Sequence, residues 1–273
     1  RNGYMQDKIF FVSKDKQEIT ILDSSGKVLH KFKNNLFIQT PPGGSVFYTF
    51  RPSPTGQQAV LERRVFDKNR ESDDKLSAEK LIDMKSGSTL LEQNLNEFSD
   101  NGKFITSRSK DDLSYHVHDP KTGKILWTAG RSEDGEGAHS MSTGEMSKVM
   151  LVTYENRQAV THDLSTGRII STVQLETTDG GGDLSPDGGK FHTHGSKGNI
   201  KVFSTDTGKL LWSKPPADAG PRLSIKWHEG GKAMSVGDQA NGSLKLVRFK
   251  DGQEPQESEI PAMKGFESTK IEG

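Results

Sequence analysis

The sequence predicts an all-β chain built from about six repeats of one four-stranded antiparallel unit. Three observations predict it. A short turn phrase recurs along the chain. Strand-like runs flank each copy of that phrase. No helical periodicity of useful length interrupts the pattern, and a short amphipathic stretch at 76–84 competes only weakly.

The turn phrase reads Asp23–Lys27 (DSSGK), Asp83–Gly87 (DMKSG), Asp119–Lys124 (DPKTGK), Asp163–Arg168 (DLSTGR), Asp206–Lys209 (DTGK) and Lys250–Gly252 (KDG). Its glycines lie 61, 36, 44, 41 and 44 residues apart. Apart from the first, these spacings cluster near the period of about 40–45 residues expected of a propeller blade. The leading Asp can accept hydrogen bonds from backbone N–H groups two residues on, and Gly supplies the positive φ that ends a hairpin. A second phrase lies about 20 residues upstream in three repeats, at Phe98–Gly102, Leu184–Gly188 and Trp227–Gly231. Each unit therefore reads as strand a, turn, strand b, turn, strand c, Asp-Gly turn, strand d.

Taken in order, Lys8–Val12, Glu18–Leu22 and Val28–Phe32 read as strands b, c and d of a first unit that lacks strand a. In the second unit, Ala59–Glu62 is strand b and Lys80–Asp83 is strand c. Lys103–Ser107, Lys190–His194 and Lys232–Val236 follow their upstream turns as strands b of later units. Ile200–Phe203 and Leu210–Trp212 flank the fifth Asp-Gly turn as strands c and d. Gly265–Ile271 reads as an orphan strand a, and pairing it with the first unit would close a ring and remove an exposed edge. The expected architecture is one β-propeller spanning 1–273, of six blades, with seven open if one repeat has diverged.

Composition narrows the function classes. The chain has 273 residues, with 37 Lys+Arg against 37 Asp+Glu, so it lacks the basic excess of a dedicated nucleic-acid binder. Apolar residues make up 30%, which fits a core distributed between blades and not one large apolar ball. No apolar run approaches the roughly 18 residues of a membrane span. There is no cysteine, hence no disulfide, thiolate metal site or thiol nucleophile. The absence of cysteine and a start at Arg1 favour an exported chain (periplasmic, secreted or lumenal) over a cytoplasmic one, processed from a longer product or a module of a larger polypeptide.

The repeat resembles the WD40-type blade and the related pyrroloquinoline-quinone-type (PQQ-like) blade. Asp119–Trp127 (DPKTGKILW) fits the PQQ-like ending, and Thr205–Trp212 (TDTGKLLW) fits it with one residue fewer before the turn. The Trp-Asp ending of the WD40 blade is absent. The resemblance covers nearly the whole chain and implies a propeller whose b–c and d–a connections open on one face. Quinone-dependent dehydrogenases share the blade, but they use more blades, a cysteine pair and calcium ligands. This chain departs from that pattern, so no cofactor is expected.

The 61-residue spacing holds roughly 20 residues beyond one blade. The excess is a charged segment at about 67–78, between strands b and c of the second unit, so it projects from the b–c face. Long loops on rigid scaffolds often carry binding. Lys68, Arg70, Asp73 and Asp74 are its candidate contacts. Lys14, Arg108, Tyr154, Glu155, His194 and Asp238 fall at the ends of successive strands b and are expected to ring the same opening. Such a ring suits a polar peptide or protein surface.

His116 with His118, and His192 with His194, share strand faces by their period-two spacing and are the weak candidates for a metal site. Each pair needs further ligands from another blade, so the expectation is no metal, with His118 and His162 helping to satisfy turn backbone. Trp127 and Trp212 occupy matching positions after their turns and are expected to pack between blades. The glycine runs at 43–44 and 180–182 lack the context of a phosphate loop, and no catalytic motif occurs. The expected function is a non-enzymatic scaffold for a protein or peptide, with no nucleic acid as partner. The alternative is a propeller enzyme, a lactonase-like hydrolase or dehydrogenase subunit, with a histidine metal site near the channel.

Overall fold

The computed structural model describes residues 8–15, 17–34, 36, 44–66, 78–99, 101–109, 113–130, 135–144, 148–176, 179–195, 198–215, 223–238, 243–250 and 252–260. These form an all-β, propeller-type fold of six antiparallel sheets. The first sheet has three strands, β1 (Lys8–Val12), β2 (Glu18–Asp23) and β3 (Val28–Lys33). The second has β4 (Ser45–Pro52), β5 (Gln58–Phe66), β6 (Ala78–Asp83) and β7 (Thr89–Glu92). The third has β8 (Leu95–Phe98), β9 (Ile105–Arg108), β10 (Tyr115–His118) and β11 (Ile125–Ala129). The fourth has β12 (Ala138–Thr143), β13 (Val149–Tyr154), β14 (Gln158–Asp163) and β15 (Ile169–Gln174). The fifth has β16 (Asp179–Leu184), β17 (Lys190–Gly195), β18 (Ile200–Ser204) and β19 (Leu210–Lys214). The sixth has β20 (Leu223–His228), β21 (Ala233–Asp238), β22 (Ser243–Arg248) and β23 (Gln256–Ile260).

Every sheet is a meander whose strands follow chain order, as the repeat predicts. Within the stretch at 76–84, residues 78–83 form β6, a strand and not a helix. Strand b of the second sheet runs on to Phe66, so the 67–77 connection leaves a long β4–β5 hairpin paired from Ser45↔Phe66 to Pro52↔Ala59. The charged insertion and the orphan strand at 265–271 lie outside the described residues.

The chain divides into two compact units. One comprises residues 1–138 with 164–167, and the other 139–163 with 168–273. In the first unit, Ile19, Ile21, Phe50, Leu61 and Ile82 form a core between sheets one and two, and Val60, Leu81, Leu95 and Ile105 one between sheets two and three. In the second unit, Leu151, Ala159, Leu184, Phe191 and Phe203 join sheets four and five. Ile200, Val202, Trp212, Met234, Val236 and Val247 join sheets five and six. Alternation along each strand sends neighbouring residues to opposite faces, so sheets two and five each feed two thin cores, in keeping with the modest apolar content.

The Asp-Gly turns form as the sequence predicts. Asp83 Oδ1 accepts the N–H groups of Ser86 at 2.7 Å and Lys85 at 3.1 Å, and Gly87 N donates to Asp83 O at 2.8 Å. Asp119 Oδ1 accepts Lys121 N at 2.9 Å while Gly123 N donates to Asp119 O at 2.8 Å. The fifth turn is not one residue short. Ser204 holds the Asp position: its carbonyl accepts Gly208 N at 2.9 Å and its hydroxyl accepts Thr207 N at 3.4 Å. After each of the first five turns the register slips by one residue, leaving Leu29, Leu90, Leu126, Ile170 and Leu211 as bulge residues.

Candidate interaction face

Antiparallel order puts the ends of all strands b at one end of their sheets, where the b–c connections emerge. Lys14 is exposed in the turn after β1, held there by Ser13 Oγ, which accepts Glu18 N at 2.9 Å. Arg108 closes β9. Its guanidinium lies 5.6 Å from the Tyr115 ring centroid and donates to Ala138 O at 3.3 Å, so it also ties strand a of the fourth sheet. Glu155 is exposed in the tight β13–β14 turn, and His194 is exposed near the end of β17. Asp238 ends β21, but its side chain lies outside the described residues. So do Lys68, Arg70, Asp73 and Asp74.

Tyr154 departs from the expected ring. It ends β13 as expected, yet it is only 7% exposed, and burial pushes its phenol pKa up. It is a packing residue at that end of the sheet. Within the first unit the structure thus places Lys14 and Arg108 at equivalent strand ends, and within the second Glu155, His194 and Asp238.

Among the described residues no group of three or more His, Asp or Glu side chains is placed to hold an ion. His118 is fully buried and both its ring nitrogens are engaged. Nδ1 donates to Gly123 O at 3.0 Å. That leaves Nε2 as the acceptor for the Ser107 hydroxyl and the Gln93 amide, each at 2.8 Å. Burial pushes its pKa down, and the Gly123 carbonyl opposes that shift. His118 is a turn staple, the role its position before the turn suggests. His116 Nδ1 pairs with Thr128 Oγ1 at 2.9 Å. His192 is buried between sheets, and its neighbour His194 faces solvent.

A charged group that the sequence did not single out lies at the root of the 67–77 connection, one pair below Arg63↔Ala78. Thr49, Glu62 and Glu79 stand directly opposite one another across β4, β5 and β6. Thr49 Oγ1 donates to Glu62 Oε2 at 2.7 Å and Arg64 Nε donates to Glu62 Oε1. Burial disfavours the Glu62 carboxylate, but those two donors outweigh it and hold its pKa below the ordinary value. Glu79 goes the other way. Burial is the main cause of its raised pKa, and the Glu62 charge adds to it. Glu79 Oε2 accepts Leu95 N at 2.7 Å, while Arg51 donates to Leu95 O at 3.2 Å and to Asn96 O. Strand a of the third sheet is thereby held by side chains of the second. Only the strand register, which brings two glutamates face to face, creates this group, and composition alone carries no signal of it.

Comparison with known proteins fits this architecture. No curated protein sequence matches the chain. BamB from Moraxella catarrhalis superposes with a TM-score of 0.50 at 15% identity, over 95% of this chain and 71% of that one. Hsv2 from Kluyveromyces lactis gives 0.57 at 11% identity, over 94% and 83%. The dihydro-heme d1 dehydrogenase NirN gives 0.53 at 13% identity, over 92% and 53%. At such identities these likenesses establish the fold alone. The sequence profile of the outer membrane protein assembly factor BamB family, by contrast, matches residues 112–271, more than half of the chain. The PQQ-like blade endings at Asp119–Trp127 and Ser204–Trp212 lie inside that match, and this chain belongs to the outer membrane protein assembly factor BamB family.

Proposed function

We propose that this protein is a non-enzymatic scaffold that binds a protein or peptide on the b–c face of its sheets, in an exported, periplasmic-type compartment. One observation carries the reading. Strand-b ends present exposed polar side chains in each unit, Lys14 in the first and Glu155 and His194 in the second, and the long 67–77 connection follows strand b of the second sheet. Rigid sheets with polar loop ends suit recognition of a polar surface, because the loops are held at fixed positions with little ordering cost on binding. Membership of the BamB family supports a protein partner and an exported location. The surface comprises Lys14, Arg108, Glu155, His194 and Asp238 with Lys68, Arg70, Asp73 and Asp74 of the insertion. The NirN likeness is one of fold.

The test is site-specific photo-crosslinking in the source cells. A photoreactive residue is placed at Lys14, Glu155 or His194, and as controls at Lys121 and Lys209 in the c–d turns. One protein captured from the three face positions, lost when 67–77 is replaced by a short Gly-Ser turn, supports the reading. Equal capture from the c–d controls, or capture from no position, overturns it.

A further inference from the structure

The seam between the fifth and sixth sheets contains a buried histidine that the proposed interaction face does not use. Across the fifth sheet, Asp183, His192, Val202 and Trp212 stand in one row, directly opposite one another on four successive strands. Val202 and Trp212 of this row pack on Met234, Val236 and Val247, so the row faces the sixth sheet. His192 is 4% exposed and its ring centroid lies 5.9 Å from that of Trp227 on β20. Two polar nitrogens of these neighbouring rings are left without hydrogen bonds. His192 Nδ1 and Trp227 Nε1 are both buried, and neither has a hydrogen-bond partner among the described residues.

The charged neighbours are unequal. From β16, the exposed Asp183 carboxylate stands across from His192 and favours a charged ring. On β17, the His194 ring lies 6.0 Å away, and Lys190 projects to the same side, its Nζ 5.8 Å from the Phe249 ring centroid. On β20, Lys226 and His228 flank Trp227, and His228 Nε2 is bonded to Ser235 Oγ at 2.8 Å. Glu257 on β23 is taken by Trp212 Nε1 at 2.7 Å and Lys245 Nζ at 2.6 Å. Val202 on β18 is apolar. A proton added at Nδ1 therefore turns a buried acceptor into a buried donor with no acceptor bonded to it, and the indole N–H of the neighbouring Trp227, itself a donor, cannot accept it.

We propose that His192 is an acid-sensitive latch on the seam between the fifth and sixth sheets: neutral, it stays packed against Trp227; protonated, it opens that seam while the strands persist. Burial, the largest cause, pushes the His192 pKa down to about 4, against 6.5 for an exposed histidine. The closed state thus binds its proton less readily than the open one. Closure is fully favoured above about pH 6.5 and is lost progressively as pH falls toward about 4. The fifth sheet is held by its own backbone ladder across four strands, to which the His192 ring adds only a contact with the Asp183 backbone, so the strands survive the opening.

The experiment follows tryptophan emission and far-UV circular dichroism of the full chain together from pH 7.5 to pH 4. The expected result is a reversible red shift with its midpoint between about pH 4 and pH 6.5, while the β-sheet signal holds. The shift should shrink in Trp227→Phe, where Trp212 of the same seam still reports, vanish in His192→Gln and remain in His194→Gln. A shift that persists in His192→Gln, that coincides with loss of the β-sheet signal, or that never occurs overturns the latch. Should His192→Gln fail to fold, the His192 ring is titrated by NMR in the unaltered chain. Titration near 4 coupled to movement of the Trp227 indole signal supports the latch, and titration at the ordinary value with that signal unmoved overturns it.

Discussion

Trp127 and Gly167 are locked together: a Cβ on Gly167 would sit 2.7 Å from Trp127 Cδ2, and the indole Nε1 donates to Leu164 O in the same turn at 2.9 Å. The last strand of one sheet thus docks into the Asp-Gly turn of the next. The arrangement recurs. Gly87 lies against Phe32, Gly123 against Leu90 O and Gly208 against Val173, each within 3 Å of where a Cβ would stand. The turn glycine does two jobs at once, since Gly167 also holds a φ of +75° that other residues adopt at a cost.

Gly167→Ala should therefore cost about 2–4 kcal/mol, from about 1 kcal/mol of backbone strain plus the steric conflict with the indole. Gly26→Ala, at φ +84° with nothing within 4 Å, should cost only the strain, about 1 kcal/mol. Urea denaturation of both variants distinguishes the two terms, and equal losses would remove the packing role.

Trp127→Phe keeps an aromatic ring but deletes the bond to the Leu164 carbonyl. A loss of about 1–3 kcal/mol is expected, because a partly buried carbonyl is left without its donor. The same denaturation curve measures it. In Gly167→Ala the indole is already displaced, so adding Trp127→Phe should cost less than it does alone, giving a non-additive double-mutant cycle.

Arg51 and Glu79 hold the backbone of Leu95 from both sides, as donor and acceptor. Glu79→Ala should destabilise by about 1–3 kcal/mol, and Glu79→Gln by less, because the amide oxygen still accepts Leu95 N. Arg51→Met should cost a similar amount by freeing the carbonyls of Leu95 and Asn96. A Glu79→Gln variant as damaged as Glu79→Ala would show that charge, and not the hydrogen bond, matters there.

His118 makes stability pH-dependent. Its pKa is lowered by burial, so the folded chain binds this proton less readily than the unfolded chain does. The stabilisation is complete above the unfolded value of 6.5 and declines as pH falls below it. Protonation at Nε2 would also displace the donors from Ser107 and Gln93. Denaturation midpoints at pH 7.5 and pH 5.5 should fall less steeply in His118→Asn than in the unaltered chain, although that variant starts lower. Parallel slopes would remove His118 from the account.

Much of the fold was legible because each blade is local. Strand, turn and strand lie within about 45 residues, and turn chemistry announces itself through Asp, Ser and Gly at fixed offsets. Lys14, Glu155 and His194 were likewise legible as exposed strand ends, because strand order alone sets which end carries them. Tyr154 was not, since an aromatic residue at a strand end reads as polar tip or apolar body until its neighbours are known. The Ser204 turn was mistaken for a short one because a hydroxyl fills the place of a carboxylate.

By itself the sequence determined the repeat, the antiparallel meander of each sheet and the identity of the turn residues that stop each strand. Only the tertiary structure decided which side chains meet across strands and between sheets. Glu62 faces Glu79, Trp127 docks on Gly167, and His192 packs on Trp227 without a hydrogen bond. The physical reason is range. Turn and strand preferences act over a few residues, whereas a seam joins groups some 35–45 residues apart whose contact depends on strand register and on a bulge that shifts it by one.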